Sequence, residues 1–295
     1  MSALRHRRDT HRFVFLMNLN QPDQADQPVS PRRKFLAAAP AVAATSLLAA
    51  CGGDDVTSTP VSDAALGAQM SAKLNAQLGD AATVDTVMPA MIDVGFSWDL
   101  PTIAAAQAGA IVAYSFGNRP NAASGNTSST GGNQAALPDP GPVNEALADA
   151  VHAIYRLKPV KVYAQWEIAR FLVSKYGMGT DVLTSIEPQI ASDGTIVYLS
   201  TAGVAAAAVS RAGGAAAMGK VAVVGHRDHA KRCIQTSRQA GMQAAAVAEV
   251  PLPTLYDPQS GQPWTRNRNL YLVHDMYAQM LTSATVATMQ AFPQG

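Results

Sequence analysis

Residues 225–233 read GHRDHAKRC, which places two histidines, an aspartate and three basic side chains in one short stretch. Four readings suit such a segment. His226 and His229, three apart, could face a metal ion with Asp228 as a third ligand. Against that reading, Arg227, Lys231 and Arg232 would repel a cation, and no Cys/His cluster elsewhere completes a shell. As an acid/base centre, His229 with Asp228 or Glu167 offers a side chain that titrates near neutrality. As an anion site, Arg232 would join the free N–H groups of a helix start. The bland alternative is that Asp228 caps a helix and the basic residues are solvated.

Three further segments carry polar residues directly after apolar runs. They are Gly117-Asn118 after GAIVAYSF, Gln165 and Glu167 after VKVYAQ, and Ser200-Thr201 after GTIVYLS. Glu167 in the first turn of a helix is also favoured by the dipole alone, and Ser200-Thr201 could simply cap the alanine-rich helix that follows. No GxSxG elbow, GxGxxG turn or phosphate-binding P-loop occurs, so the sequence points to no hydrolase nucleophile and leaves any cofactor open.

The elements that would position these residues alternate. Short apolar strands at 109–116, 160–165, 194–200, 220–225 and 243–250 are separated by helical stretches, among them 143–157 and a last helix over about 265–290. Such alternation predicts an α/β fold, a three-layer Rossmann-like domain with a mainly parallel sheet of about five strands. Ligands of open α/β sheets bind beyond the carboxyl ends of the strands. Four segments distant in sequence would therefore meet on one rim. In YDPQSGQPWTRNRNLYLVHD (256–275), Trp264 is expected to cover the core, Thr265 to cap the last helix, and His274 and Asp275 to serve at the surface or in packing.

The chain has 295 residues, enough for a sizeable core, and a formal charge of +1. Seven basic and three acidic residues precede Cys51, which leaves 15 basic against 18 acidic residues beyond it. That mildly acidic body offers no broad field for nucleic acid. The basic N-terminal stretch PRRKFLAAAPAVAATSLLAAC resembles a twin-arginine export signal fused to a lipoprotein signal. Arg32-Arg33-Lys34-Phe35-Leu36 carries the first likeness and Leu48-Ala49-Ala50-Cys51 the second, with Cys51 as the lipidated residue. The apolar run from Phe35 to Ala50 is short for a spanning helix. The expected organisation is a signal peptide over 1–50, a lipidated Cys51 and tether over 51–63, and a helical lead-in over 64–107. The α/β domain then covers 108–295, with a flexible loop at 118–142. Membrane attachment through the lipid would place it on the extracytoplasmic side of a cell envelope. Cys233, the only other cysteine, suits burial better than reactivity.

The order of the strand-end residues resembles the YdcF-like family of envelope-associated proteins. Gly117 matches that family's glycine after an early strand, Glu167-Ile168-Ala169 its acidic helix start, and Ser200-Thr201 its Ser-Thr segment. His229 and Arg232 in VAVVGHRDHAKR match its histidine and arginine. The likeness spans about 109–250 and departs at Ala205, Ala206, His226 and Asp228, where the family carries other residues. It implies a small anionic or nucleoside-like ligand and a role in cell-wall or envelope metabolism. Glu167 and His229 would be the catalytic or polar pair, and Gly117, Asn118, Ser200, Thr201, His226, Asp228 and Arg232 would surround the ligand. The rival reading is a non-catalytic lipoprotein with a degenerate pocket, acting as an interaction module.

Overall fold

A computed structural model describes residues 62–121, 137–190, 192 and 196–293. Two helices lead in. Ser62 caps α1 (Asp63–Leu78) by accepting from the Ala65 N–H, and Gly79 ends it in the left-handed conformation. Asp80 caps α2 (Ala81–Phe96), which buries Val84, Met88 and Val94. The strands follow as β1 (Thr102–Ile103), β2 (Ala108–Ala113), β3 (Lys161–Gln165), β4 (Leu183–Ile186), β5 (Gln189–Ile190), β6 (Ile196–Val197), β7 (Lys220–Val224) and β8 (Gln243–Val247). Helices α3 (Pro142–Leu157), α4 (Trp166–Tyr176), α5 (Thr201–Arg211), α6 (Ala230–Gln239) and α7 (Arg268–Ala291) complete the fold.

Six strands form one parallel sheet in the order β1-β8-β7-β2-β3-β4, and β5 pairs with β6 in a separate antiparallel ribbon. Helices cover both faces, so the inner strands are apolar throughout rather than alternating. Ile111 and Ala113 of β2 join Leu147, Val151, Ile168 and Leu172 of α3 and α4 in one core. Ala110, Val112 and Tyr114 join Val204, Ala208, Cys233 and Ile234 of α5 and α6 in the other. This is the three-layer Rossmann-like α/β fold.

Two strands differ from the expectation. The edge of the sheet beside β3 belongs to β4, not to 194–200. β4 is a short edge strand whose Thr184 and Ser185 are only half-buried, so its composition carries little strand signal. Of the 194–200 segment, Ile196 and Val197 pair with Gln189 and Ile190 outside the main sheet. The lead-in also ends in a strand, since β1 extends the sheet beside β8.

Topology fixes where a crevice must lie. From β2 the chain moves through α3 to β3 on one side, and the strand on the other side, β7, is reached later through α5. The order reverses between β2 and β7, and the ends of such a strand pair are where open α/β sheets hold ligands. Here those ends are Tyr114–Asn118 and Gly225–His229.

Candidate functional site at the carboxyl ends of the strands

The turn after β2 depends on Gly117. Its φ is +66°, and a Cβ there would stand 2.7 Å from both Ser260 Oγ and Thr265 Oγ1. Those two hydroxyls hydrogen-bond each other at 2.7 Å, so the 257–265 loop sits directly on the turn. Asn144, fully buried in the first turn of α3, fixes the other side. Its Oδ1 accepts from the Phe116 N–H at 2.9 Å, and its Nδ2 donates to the carbonyls of Gly117 and Pro140. The hollow between Gly117, Asn118, Gly141, Asp257 and Thr265 has no room for a water molecule.

Glu167 stands at the start of α4, next to that turn, and is 2% exposed. Burial pushes its carboxyl up to about 7, although hydrogen bonds from its own amide, Ser115 and Asn118 pull the other way. Its Oε2 has no hydrogen-bond partner, and neither do the neighbouring Asn118 Oδ1 and Trp166 Nε1. Buried polar atoms are rarely left in this state. His226 Nε2, His229 Nδ1 and Gln279 Oε1 share it. All but Gln279 sit at the ends of β2, β3 and β7.

Aromatic rings fill the gap between the β2 and β7 ends. Phe116 stacks on His226 with centroids 4.1 Å apart, Tyr256 meets the His226 ring edge-on at 4.5 Å, and Tyr271 lies 4.5 Å from Phe116. His226 is completely buried, and burial lowers its pKa against the pull of Asp228. Asp228 does not cap α6. The N-cap position is His229, whose side chain makes no capping bond. Asp228 instead accepts from Tyr256 Oη at 2.7 Å and from Arg268 Nε and Nη2 at 2.9 and 3.2 Å. Arg268 and Tyr256 hold its carboxyl below the usual range even though burial works to raise it.

The polar centre of the rim is Asp275 on α7. It has no solvent exposure, and it receives hydrogen bonds from Arg232 Nε at 2.6 Å, Gln279 Nε2 at 2.7 Å and Tyr271 Oη at 2.9 Å. His229 Nδ1 lies 3.5 Å from Asp275 Oδ1. Burial opposes ionisation of Asp275, but the contacts with His229 and Arg232 prevail and keep its carboxyl well below the usual range. Arg232 also donates from Nη1 to Thr201 Oγ1 at 3.0 Å and from Nη2 to Tyr271 Oη at 3.3 Å. Burial and the Arg232 charge push His229 down to about 4, so its ring is neutral at pH 7.

Of the residues singled out by sequence, Thr201, His229 and Arg232 share one corner. Glu167 and Asn118 share another, and His226 lies beside Phe116 between the ends of the two strands. The groups that perturb Glu167 and His229 are different sets with no member in common. Ser200 is exposed and caps α5, its Oγ accepting from the Gly203 N–H at 3.2 Å. The other basic side chains of GHRDHAKRC are engaged rather than solvated. Arg227 donates to the Trp98 carbonyl, and Lys231 pairs with Asp93 at 3.1 Å, so both clasp the lead-in. Cys233 is buried, and burial raises its thiol well above the ordinary range. Cys51 and the 1–50 signal segment lie outside the described residues, as does 122–136 of the expected loop. Among the described residues no cluster of three or more His, Cys, Asp or Glu could hold a metal ion, and no helix is long and apolar enough to cross a membrane.

Asp275 and Asn144 were not legible as site residues. Thr265 does not cap α7 either; Asn267 does, accepting from the Leu270 N–H at 3.0 Å, while Thr265 is buried against Ser260. The available signal was the four-residue spacing of Tyr271, Asp275 and Gln279, which are the buried residues of α7. No family profile, no characterised protein and no solved structure matches the chain.

Proposed function

We propose that the chain is a lipid-anchored protein of the cell envelope that binds a small anionic ligand at the rim between β2 and β7. The observation that carries this reading is the carboxylate already bound there. Arg232, Tyr271, Gln279 and His229 converge on a buried oxyanion, and the chain itself supplies that oxyanion as Asp275. A phosphate or carboxylate of a ligand would take the same donors once the carboxylate is withdrawn. Arg232 presents the forked donor set that suits planar or tetrahedral oxyanions.

Glu167 supplies the proton chemistry on this reading. A carboxyl titrating near 7 is matched to general acid or base work at neutral pH, whereas neutral His229 serves as a hydrogen-bonding neighbour of the anion. Transfer or hydrolysis at a phosphate or glycan-linked substrate is the reaction class that such a carboxyl beside an anion site would support. The resemblance to YdcF-like proteins and the lipoprotein-like N-terminus support the envelope setting.

A second reading is a non-catalytic interaction module. It is favoured by the closed rim, where Nε, Nη1 and Nη2 of Arg232 are all engaged within the chain and the hollow at Gly117 has no room for a water molecule. A thermal-shift screen of nucleotides, polyprenyl phosphates and cell-wall precursors separates the two. The first reading expects at least one anionic class to raise the melting temperature of the wild type and to lose that effect in His229→Ala. A flat screen for both proteins would favour the module.

A further inference from the structure

Helix α7 turns its polar residues inward and its apolar residues outward. Leu270 is 51% exposed, Val273 73%, Tyr277 62% and Met280 36%. Exposed Ala284, Ala287 and Ala291 continue the same alternation of three- and four-residue steps. That spacing is the seam of a paired helix. At 3.6 residues per turn it lies opposite the buried face of Tyr271, Asp275 and Gln279. The stripe runs most of the length of a 24-residue helix, about 36 Å. A contiguous apolar surface of that extent is uncommon on a chain without a partner.

We propose that this stripe docks against α7 of a second copy of the chain, antiparallel, about a two-fold axis near Met280. The residue sizes argue for both the partner and the direction. The bulky side chains occupy the first half of the stripe and the alanines the second. Antiparallel pairing sets Leu270 against Ala291, Val273 against Ala287 and Tyr277 against Ala284, with Met280 meeting Met280. Every large residue except Met280, which meets its own copy at the axis, then faces a small one, as close packing requires. Parallel pairing would crowd Tyr277 on Tyr277 and leave a gap between the alanines. The interface is isologous, which is the commonest arrangement in homo-oligomers.

Charge argues in the same direction. Between 269 and 291 the only charged residue is Asp275, and it is buried on the inner face. No charge has to be stripped of water when two copies meet. The absence of Lys and Arg on this span also removes the cationic contacts by which interfacial helices hold lipid headgroups. The pairing does not depend on whether the strand-end rim binds an anion.

The test uses the full chain carrying Cys51→Ser, so that no lipid is attached. Sedimentation should give a dimer mass at micromolar concentration, and Val273→Glu should weaken association at least tenfold with an unchanged far-ultraviolet circular dichroism spectrum. On that Cys51→Ser background, Met280→Cys should form a disulfide-linked dimer under mild oxidation and Leu270→Cys should not, because only Met280 meets its own copy. Buried Cys233 gives no background in this experiment. A monomer mass at every concentration would overturn the proposal, as would Leu270→Cys linking as readily as Met280→Cys. A monomer that floats with phosphatidylglycerol and phosphatidylethanolamine vesicles would overturn it in favour of a lipid surface.

Discussion

Helices α3 and α7 cover neighbouring parts of one domain by opposite means. α3 buries Val143, Leu147, Ala148, Val151 and Ile154 against the sheet and keeps a single polar residue, Asn144, inside at its first turn. That is the ordinary amphipathic solution, in which apolar area removed from water seats the helix. α7 buries Tyr271, Asp275 and Gln279 and leaves its larger apolar side chains outside. It is seated by the Tyr271 ring in the apolar core and by hydrogen bonds and an ion pair to Arg232. The first kind of contact is cheap to form and non-directional. The second costs desolvation of both charges and is favourable only while each partner is present. α3 is thus built to stay, and α7 is built on a contact that a competing anion could replace.

The sharpest way to break this contrast is to remove the charge that seats α7. Asp275→Ala leaves Arg232 buried without a counter-ion and should cost about 3–5 kcal/mol of unfolding free energy in urea titrations. Replacing both partners, as Arg232→Met with Asp275→Leu, should recover most of that loss. A double variant as unstable as the single would show that α7 is seated by something other than the pair. On the α3 side, Leu147→Ala opens a cavity in the apolar core and should cost about 2–5 kcal/mol, with no second substitution needed to explain it.

The pH dependence separates the two rim corners with a smaller effect. Folded Glu167 keeps its proton up to about 7 while the unfolded carboxyl releases it near 4.5, so this group lowers stability as pH rises through that window. His229 does the reverse. Its unfolded form binds a proton below 6.5 and its folded form only near 4, so stability rises with pH between those values. His226 and His274, both lowered by burial, add to the rise. Between pH 5 and 6 the Glu167→Gln protein should gain stability with pH more steeply than wild type, and His229→Gln less steeply. Each difference should approach 1.4 kcal/mol per pH unit, the value of one proton. Superimposable slopes in the three proteins would contradict these burial assignments.

Much of this architecture was legible in the residue pattern, for identifiable reasons. The segments around 109–116, 160–165, 220–225 and 243–250 announce themselves because strands covered on both faces are continuously apolar. β4 does not, because an edge strand with Thr184 and Ser185 half-buried lacks that run. The placing of His229 and Arg232 beside the β2 end follows from fold topology, which brings sheet strand ends together whatever the intervening sequence. Thr201, by contrast, reaches Arg232 from the start of α5, after a strand outside the main sheet. Asp275 was hidden because its helix is inverted. A polar stripe reads as the solvent side, and only the pairing with Arg232 turns it inward. The anchoring of Lys231 and Arg227 was hidden in a similar way, since the Asp93 and Trp98 positions that receive them lie more than 120 residues earlier.

The most direct measurement is the melting temperature of Asp275→Asn with and without millimolar inorganic phosphate, beside wild type and Asp275→Asn with Arg232→Gln. If Asp275 stands in for a ligand's anion, phosphate should raise the melting temperature of the single variant by several degrees. It should leave wild type and the double variant unchanged. A folded Asp275→Asn protein that phosphate does not stabilise would contradict the account.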